Sequence, residues 1–218
     1  VRKVDRLLRD ELGCERGLAD PRVVVADLCC GTGAYVLEVL RCIAEQLRSE
    51  GVDASLGAEL LDAACRRVIG FEILTAPFVI AQLQAYMLLS DLGATPSPKH
   101  RPAIYLTNAL TGWGSGGDQL KLHFPELQQE HDAAHGVKRS AKIIVIIGNP
   151  PYNRFVGAPM AEESDLVDHY KGIHRDEKGK QLGKSALWER FEVRKHLLDD
   201  LYIRFFRLAE RQIGERAE

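Results

Sequence analysis

The stretch that decides the fold is Ile143-Ile144-Val145-Ile146-Ile147-Gly148-Asn149-Pro150-Pro151-Tyr152. A run of β-branched residues bounded by glycine and proline is typical of a strand buried on both faces of a parallel sheet. Ligands of such sheets bind just beyond the carboxyl ends of the strands, where Asn149 to Tyr152 would lie. The stretch therefore predicts a buried strand, Ile143–Ile147, that ends in a ligand-binding corner.

The four residues after Gly148 have the chemistry to hold a planar amino group. The Asn149 side-chain oxygen and the Pro150 carbonyl oxygen can accept hydrogen bonds from its two N–H bonds. Consecutive prolines, Pro150 and Pro151, fix φ at about −65° and hold these acceptors still. Tyr152 offers a flat face for stacking, worth roughly 1–3 kcal/mol per base. Taken alone, the tetrapeptide also fits a strand followed by a simple Pro-Pro turn.

The composition is that of a globular protein large enough for one domain. The chain has 218 residues, 45% of them hydrophobic and 28% charged, and a net charge of −2. No apolar run approaches the ~20 residues that span a membrane, and the N-terminal residues lack a signal-peptide core. We therefore expect a cytoplasmic protein with reduced cysteines and no membrane partner. The five cysteines show no C-x-x-C spacing and predict neither a zinc site nor a disulfide framework.

Strand and helix patterns alternate along the chain. The predicted strands are Val23–Ala26, Arg67–Ile73, Ala103–Leu106 and Ile143–Ile147. Four helices are predicted by their ranges: Arg2–Leu12, residues 36–47 with Gly51 closing the helix, Glu126–Lys138 and Leu187–Ile213. Two more are predicted from their apolar residues: one contains Leu60 and Ala64, and one begins at Pro77 with an apolar face of Ile80, Leu83 and Met87. This alternation predicts an α/β fold, a Rossmann-like doubly wound parallel sheet with helices on both faces. The strands should follow the order third, second, first, fourth, with the crevice between the first and fourth.

A glycine-rich turn follows the first predicted strand, with the sequence Asp27-Leu28-Cys29-Cys30-Gly31-Thr32-Gly33. Gly31 and Gly33 let a ligand approach the backbone closely, and Asp27 can bind an ammonium group or order the loop amides. A dinucleotide fingerprint would need a third glycine where Val36 stands, so a nicotinamide cofactor is not indicated. Glu72, at the end of the second strand, suits the two ribose hydroxyls of an adenosine-containing cofactor, although it also fits a helix cap or a surface charge.

Three further features give weaker indications of function. His131 and His135 could face one metal ion at i, i+4, but no carboxylate is placed beside them convincingly, and we predict no metal site. The glycine-rich loop Gly112–Gly117 lacks the lysine of a phosphate-binding loop and is interpreted as a flexible connection. The charged segment Asn153–Ser185 has little periodicity and fits a functional lid or a disordered loop.

In order along the chain, these stretches resemble the motifs of NPPY-type, gamma-class-like N6-adenine DNA methyltransferases that use S-adenosylmethionine. Asp27–Tyr35 is similar to their first motif, Gly70–Ile73 to the second, Asn108–Leu110 to the third, Asn149–Tyr152 to the fourth and Leu201–Ala209 to the helix that follows. A more specific resemblance is to the methylase part of type ISP restriction-modification enzymes, over about Val4 to Ile213. It rests on three stretches of sequence: GFEI-x-x-AP, YLTN and VIIGNPPYN.

The resemblance implies S-adenosylmethionine as the cofactor and adenine in DNA as the substrate. The implied cofactor-binding residues are Asp27, Cys29, Gly31, Gly33, Glu72, Ile73, Asn108 and Leu110. Asp27 and Gly31 would border the methionine moiety, Glu72 would hold the ribose, and Asn108 would accept from the cofactor's adenine amino group. Asn149, Pro150, Pro151 and Tyr152 would form the catalytic site around an adenine flipped out of double-stranded DNA. Methyl transfer would then be an in-line displacement without a covalent intermediate.

The chain departs from the family pattern at three points. Leu28 stands where proline is usual, Asn108 stands where aspartate is common, and only about four strands are present. The resemblance therefore implies a truncated piece of a larger restriction-modification polypeptide whose target-recognition region, and any nuclease or translocase, lie elsewhere. The predicted segments are a leading helix at 1–22, a cofactor-binding and catalytic core at 23–152, a flexible charged loop at 153–186 and a following helix at 187–218.

Two other functions stay open from the sequence. NPPY recognises an sp² amino group rather than a particular base, so the acceptor could be a protein glutamine or a guanine amino group in RNA. The chain could also bind cofactor or DNA without catalysis, because half a sheet need not hold the crevice in register. In that case the exposed edge of the fourth strand would favour aggregation.

Overall fold

The structure, a computed structural model, describes residues 1–51, 55–113, 125–152, 163, 166–167, 170, 174–175, 181–183 and 200–215. The chain forms two compact units, Val1–Asn149 and Pro150–Glu218, so the boundary between them falls inside the NPPY sequence. Each unit is described by itself below. The predicted segment boundaries at residues 22, 152 and 186 stay predictions.

The first unit is a Rossmann-like α/β unit with a parallel sheet flanked by helices. Its strands are β1 (Val25–Asp27), β2 (Val68–Glu72), β3 (Ile104–Leu106) and β4 (Val145–Ile146), and its helices are α1 (Arg2–Asp10), α2 (Ala34–Ser49), α3 (Leu56–Asp62), α4 (Thr75–Asp91) and α5 (Pro125–Ser140). A short 3₁₀ turn, Gly17–Ala19, precedes β1, and a π-helical turn, Ala63–Arg67, leads into β2. The predicted fold class is confirmed.

The strands follow the spatial order β3-β2-β1-β4, which confirms the predicted order of third, second, first and fourth. All three pairings are parallel: Asp27 of β1 lies opposite Gly70 of β2, Ala26 opposite Ile146 of β4, and Glu72 opposite Leu106 of β3. The carboxyl ends of the four strands therefore meet at one edge of the sheet. Every predicted cofactor residue lies on a loop or strand end at that edge.

Helix α2 supplies much of the core beside this edge. Its residues at three- and four-residue spacing, Val36, Leu40, Ile43 and Leu47, are all buried, as the apolar period predicts. Gly51, at φ +71°, donates its backbone N–H to the Arg48 carbonyl 3.1 Å away. The predicted glycine closure of this helix is confirmed, because glycine adopts this left-handed conformation without a steric penalty.

The fourth strand is shorter and more open than predicted. The sequence predicts a strand over Ile143–Ile147 buried on both faces, but only Val145–Ile146 is strand, and Ile144 is 38% exposed. Among the described residues β4 is the edge of the sheet and pairs with β1 alone. An apolar run cannot show whether its strand is central or lies at an edge, since burial on the second face depends on elements elsewhere in the chain.

Helix α4 packs through a different face from the one predicted. Its buried residues are Ala81, Ala85 and Leu89, whereas the predicted apolar face of Ile80, Leu83 and Met87 is exposed. The reason is close packing, because the Ala81 Cβ lies only 3.2 Å from where a Cβ on Gly33 would be. The helix also begins at Thr75, two residues before the predicted opening at Pro77.

The second unit contains helix α6 and a short hairpin. Helix α6 is Leu201–Glu210, a π-helical turn follows at Arg211–Glu215, and β5 (His174–Arg175) pairs antiparallel with β6 (Gln181–Gly183). The predicted helix over Leu187–Ile213 is wrong at Asp200, which is the N-cap of α6 and accepts a hydrogen bond from the Tyr202 N–H at 3.1 Å. Residues 187–199, and most of the predicted loop at 153–186, lie outside the described residues.

The described residues show two general properties. All five cysteines are free thiols. Among the helices that could be searched, none combines the length and the apolar character needed to cross a bilayer.

Candidate active site

The ends of β1 and β4 bring the glycine-rich turn next to Asn149. A Cβ on Gly148 would lie 2.8 Å from Asp27 Oδ1 and 3.5 Å from the Cys29 sulfur, so only glycine fits between them without a shift. The Asn149 backbone N–H in turn makes a hydrogen bond to the Cys29 sulfur. The structure thus places the first and fourth sequence motifs side by side, at the predicted crevice.

Asp27 is the most unusual group at this edge of the sheet. Its side chain is buried, and Oδ1 accepts a hydrogen bond from the Cys29 N–H at 3.1 Å. Oδ2 is also buried but has no hydrogen-bond partner among the described residues. Burial, with a smaller contribution from the charge of Glu72, raises the pKa of Asp27 to about 7, against the lowering effect of the Cys29 N–H. An unsatisfied buried carboxylate oxygen costs stability unless a donor reaches it.

The Glu72 carboxylate accepts hydrogen bonds from two backbone segments at this edge of the sheet. Its Oε2 accepts from the Gly31 N–H at 2.9 Å, and its Oε1 accepts from the Leu74 N–H at 2.8 Å. Each carboxylate oxygen has two lone pairs, so a hydroxyl donor could still bind. Ile73, the next residue and a predicted cofactor contact, is 62% exposed.

The two glycines of the turn have different roles. Both have positive φ, +55° at Gly31 and +91° at Gly33. A Cβ on Gly33 would meet Ala81 of α4, whereas nothing lies within 4 Å of a Cβ on Gly31. Gly33 is therefore needed for packing, and the surface at Gly31 is open to a ligand.

The third motif lies beside the second. Asn108 Oδ1 accepts a hydrogen bond from the N–H of Leu110, a buried residue, at 2.9 Å, which folds the turn after β3 upon itself. The Thr107 N–H donates to the Glu72 carbonyl at 2.7 Å and joins this turn to the end of β2. The predicted residues Asp27, Glu72 and Asn108 thus follow neighbouring strands at one edge.

Sequence reasoning missed Lys138, which lies on α5 and is fully buried. Its ammonium group donates to three oxygens of the turn that carries Asn108: Thr107 Oγ1, the Asn108 carbonyl and the Thr111 carbonyl. The available signal was its position four residues after the buried Ala134, on the face of α5 turned to the protein interior. A lysine on a polar helix is ordinarily taken for a solvated side chain.

The cysteines of the turn are not nucleophiles. Burial raises the pKa of Cys29 to about 12, and the pKa of Cys30 is raised by burial and by the charge of Asp27. Both thiols stay uncharged at neutral pH, and thiolate is the reactive form. The predicted contact of Cys29 with a cofactor stays a prediction.

His131 and His135 do not form a metal centre with other described residues. Their rings stack with centroids 4.1 Å apart, and a Cβ on Gly112 would overlap the His135 ring. No group of three or more histidine, cysteine, aspartate or glutamate side chains suited to a metal occurs in the part of the chain that was searched. The pair packs α5 against the turn after β3.

In the second unit, Tyr152 presents an aromatic face to solvent. Its side chain is 73% exposed. The Tyr152 and Tyr202 rings stack with centroids 5.6 Å apart and an interplanar angle of 19°, and Phe206 packs on Tyr202 at 4.7 Å. The ring predicted to stack on a substrate therefore already lies in an aromatic stack with α6.

No family model matches the chain, and no curated protein matches it significantly. Solved structures do match. The ATP-dependent Type ISP restriction-modification enzyme LlaBIII bound to DNA aligns with TM-score 0.71 and 19% identity over 97% of this chain and 13% of its own. A nuclease-deletion mutant of the Type ISP restriction-modification enzyme LlaGI, in complex with a DNA substrate mimic, aligns with TM-score 0.69 and 18% identity over 98% of this chain and 16% of its own. The DrdV–DNA complex aligns with TM-score 0.68 and 20% identity over 97% and 18%. The chain thus spans under a fifth of each of these three chains and shares the fold of that part.

Proposed function

We propose that the chain is the methyltransferase core of a restriction-modification polypeptide and transfers a methyl group from S-adenosylmethionine to the N6 amino group of adenine in double-stranded DNA. The observation that carries the proposal is the meeting of the glycine-rich turn, at Asp27 and Cys29, with Gly148 and Asn149 at the edge formed by β1 and β4. The likeness in fold to two restriction-modification enzymes, one bound to DNA and one to a DNA substrate mimic, and to the DrdV–DNA complex supports it.

The residues at the sheet edge fit S-adenosylmethionine. One buried Asp27 oxygen has no donor among the described residues and suits the cofactor's ammonium group. The open surface at Gly31 leaves room for the methionine chain. Glu72 would take the ribose hydroxyls, and Asn108 would take the adenine amino group. When bound, the cofactor supplies an electrophilic methyl group on its sulfonium.

The acceptor side rests on Asn149, whose side chain is exposed at the end of β4. Its oxygen and the adjoining Pro150 carbonyl would hold both N–H bonds of the amino group and direct the nitrogen lone pair toward the methyl group. Tyr152 supplies a stacking face, which offsets part of the few kcal/mol that flipping a base costs.

Label transfer to competing acceptors tests the proposal. The chain is incubated with S-adenosylmethionine carrying a labelled methyl group and with duplex DNA, structured RNA or glutamine-containing peptides. We expect label in DNA only, at adenine N6. Label in RNA or peptide with none in DNA would instead support the alternative acceptors. Saturable cofactor binding by calorimetry without any product would support a fragment that binds but does not catalyse.

Replacing Gly31 by alanine should weaken S-adenosylmethionine binding roughly tenfold, because the added methyl group occupies the open surface where the ligand approaches. The left-handed backbone also makes alanine cost about 1–2 kcal/mol of stability. Calorimetric titration gives the affinity and thermal unfolding gives the stability.

Gly13 provides the matched control for this variant. It has φ +62° and likewise nothing within 4 Å of its Cβ position, but it lies before β1 and away from the turn. Gly13→Ala should cost similar stability and leave cofactor affinity unchanged. Equal affinity in the Gly31 and Gly13 variants would remove Gly31 from the proposed binding site.

A further inference from the structure

Lys138 has an environment that calls for an explanation. Its side chain is 0% exposed at the last turn of α5. Removing an ammonium group from water costs several kcal/mol, so it is tolerated only where acceptors replace the lost water. A methionine or leucine would fill such a position without this cost. The buried charge must therefore be accounted for by what it binds.

Among the described residues, its hydrogen bonds go to one turn. The Lys138 Nζ donates to Thr107 Oγ1 at 2.9 Å, to the Asn108 carbonyl at 2.7 Å and to the Thr111 carbonyl at 3.0 Å. These three oxygens are uncharged acceptors, and an ammonium group has three N–H donors. The ammonium also lies 5.3 Å from the centroid of the Phe71 ring on β2, within cation–π range.

The turn so held carries the residue assigned to the cofactor's adenine. Asn108 lies between two of the bonded residues, and its side-chain oxygen is fixed by the Leu110 N–H. Trp113 closes the far end of the turn, where its indole N–H donates to the Ala109 carbonyl at 2.6 Å. Because Lys138 binds both before and after Leu110, it restrains the segment from which the Asn108 oxygen projects.

We propose that Lys138 is a positioning residue that fixes the Asn108 turn for recognition of the adenine amino group of S-adenosylmethionine. The proposal rests on the proposed function and deepens it by assigning base selectivity on the cofactor to a residue on α5. Removing the ammonium takes these three hydrogen bonds from the turn and weakens the restraint on Asn108, so discrimination at the adenine amino group should fall.

The test compares two ligands that differ only at the base. S-adenosylhomocysteine carries the amino group of adenine, and its inosine counterpart carries a carbonyl oxygen there, which Asn108 Oδ1 would repel. We expect the native chain to bind the adenine form about tenfold or more tightly in calorimetry. In Lys138→Met, whose unbranched side chain is one atom shorter and lacks the ammonium, we expect this ratio to fall below about threefold.

Ala134→Gly provides the matched control, since Ala134 is also fully buried and lies one turn earlier on the same helix. It weakens α5 without removing the ammonium and should leave the ratio unchanged. General destabilisation lowers the affinity for both ligands alike, so only loss of positioning changes their ratio. If Lys138→Met keeps the native ratio of affinities for the two ligands, the proposal is overturned.

Hydrogen exchange at the Leu110 amide gives a readout that needs no ligand. That N–H is bonded to Asn108 Oδ1, and its exchange should accelerate about tenfold or more in Lys138→Met relative to Ala134→Gly. Unchanged exchange would overturn the proposal whatever the ligands do. If exchange is faster in Lys138→Met but the chain binds neither ligand, Lys138 still restrains the turn and the proposed cofactor is rejected. Failure of the Lys138 proposal can therefore be distinguished from failure of the proposed function.

Discussion

Asn149→Ala should lower methyl transfer to DNA roughly 100-fold or more, because removing one positioned polar group that acts in the transition state costs about this much in other enzymes. In the proposed function the Asn149 oxygen would accept from the amino group whose lone pair attacks, whereas the Asn149 contact with the glycine-rich turn is made by the backbone N–H. Alanine keeps that backbone contact. Affinity for S-adenosylmethionine should therefore change less than about threefold, measured by calorimetry beside the label-transfer rate.

Asn149→Asp gives the matched comparison for this prediction. A carboxylate oxygen also accepts hydrogen bonds, so this variant should retain more activity than the alanine variant at equal cofactor affinity. The order native, aspartate, alanine is the expected result. Alanine and native chains transferring methyl at the same rate would show that Asn149 does not hold the acceptor.

The order of the sheet could be predicted because each strand is marked by its own local pattern. Buried apolar runs ended by Asp27, Glu72 and Asn149 indicate parallel strands, and the rules for their connection leave few arrangements. The positions of Asp27, Glu72 and Asn108 at one edge follow directly from that order. Local signals therefore suffice for the topology and for which motifs meet.

The predictions that were wrong or missing concern features that depend on contacts between distant parts of the chain. Whether Ile144 is buried depends on what covers the second face of β4, and which face of α4 is buried depends on how closely Ala81 approaches Gly33. The buried ammonium of Lys138 is likewise defined by oxygens about thirty residues earlier. Apolar periodicity carries no information on such pairs.

Asp27→Asn should weaken S-adenosylmethionine binding roughly 10- to 100-fold, since hydrogen bonds to charged groups contribute about 1.5–3 kcal/mol. Asparagine keeps the size of the side chain and an oxygen that can accept from the Cys29 N–H. It loses the negative charge that the ammonium group requires. Calorimetric titration of both chains measures the difference, and equal affinities would contradict the assignment of Asp27 to the cofactor.

The raised pKa of Asp27 also predicts how cofactor affinity depends on pH. With a pKa of about 7, the carboxyl is largely protonated at lower pH and cannot pair with an ammonium group. Affinity should therefore rise roughly tenfold between about pH 5.5 and pH 7 in the native chain, as the ionised fraction grows. Asp27→Asn should show no such rise. A native affinity independent of pH in this range would place the ammonium elsewhere.

The same variant should raise the stability of the free chain. The folded pKa of Asp27, about 7, lies above the unfolded value, so the folded state binds more protons between about pH 4 and pH 7 and loses stability as pH rises through that window. Above it, ionised Asp27 costs on the order of 4 kcal/mol, which asparagine avoids. Denaturant unfolding at pH 8 should show the gain, and at pH 4 the two chains should be nearly equal.

Asp20 supplies a control whose pKa shift, and whose expected effect on stability, have the opposite sign. It is also buried, but Arg22 donates to both of its oxygens, and that pairing lowers its pKa to about 2. A lowered folded pKa contributes stability that is present above about pH 4 and is lost as pH falls toward 2. Asp20→Asn should therefore destabilise the chain at pH 8, where Asp27→Asn stabilises it. Loss of stability in both variants would mean that Asp27 is satisfied within the protein, and its unbonded oxygen would no longer mark a site kept for a cationic ligand.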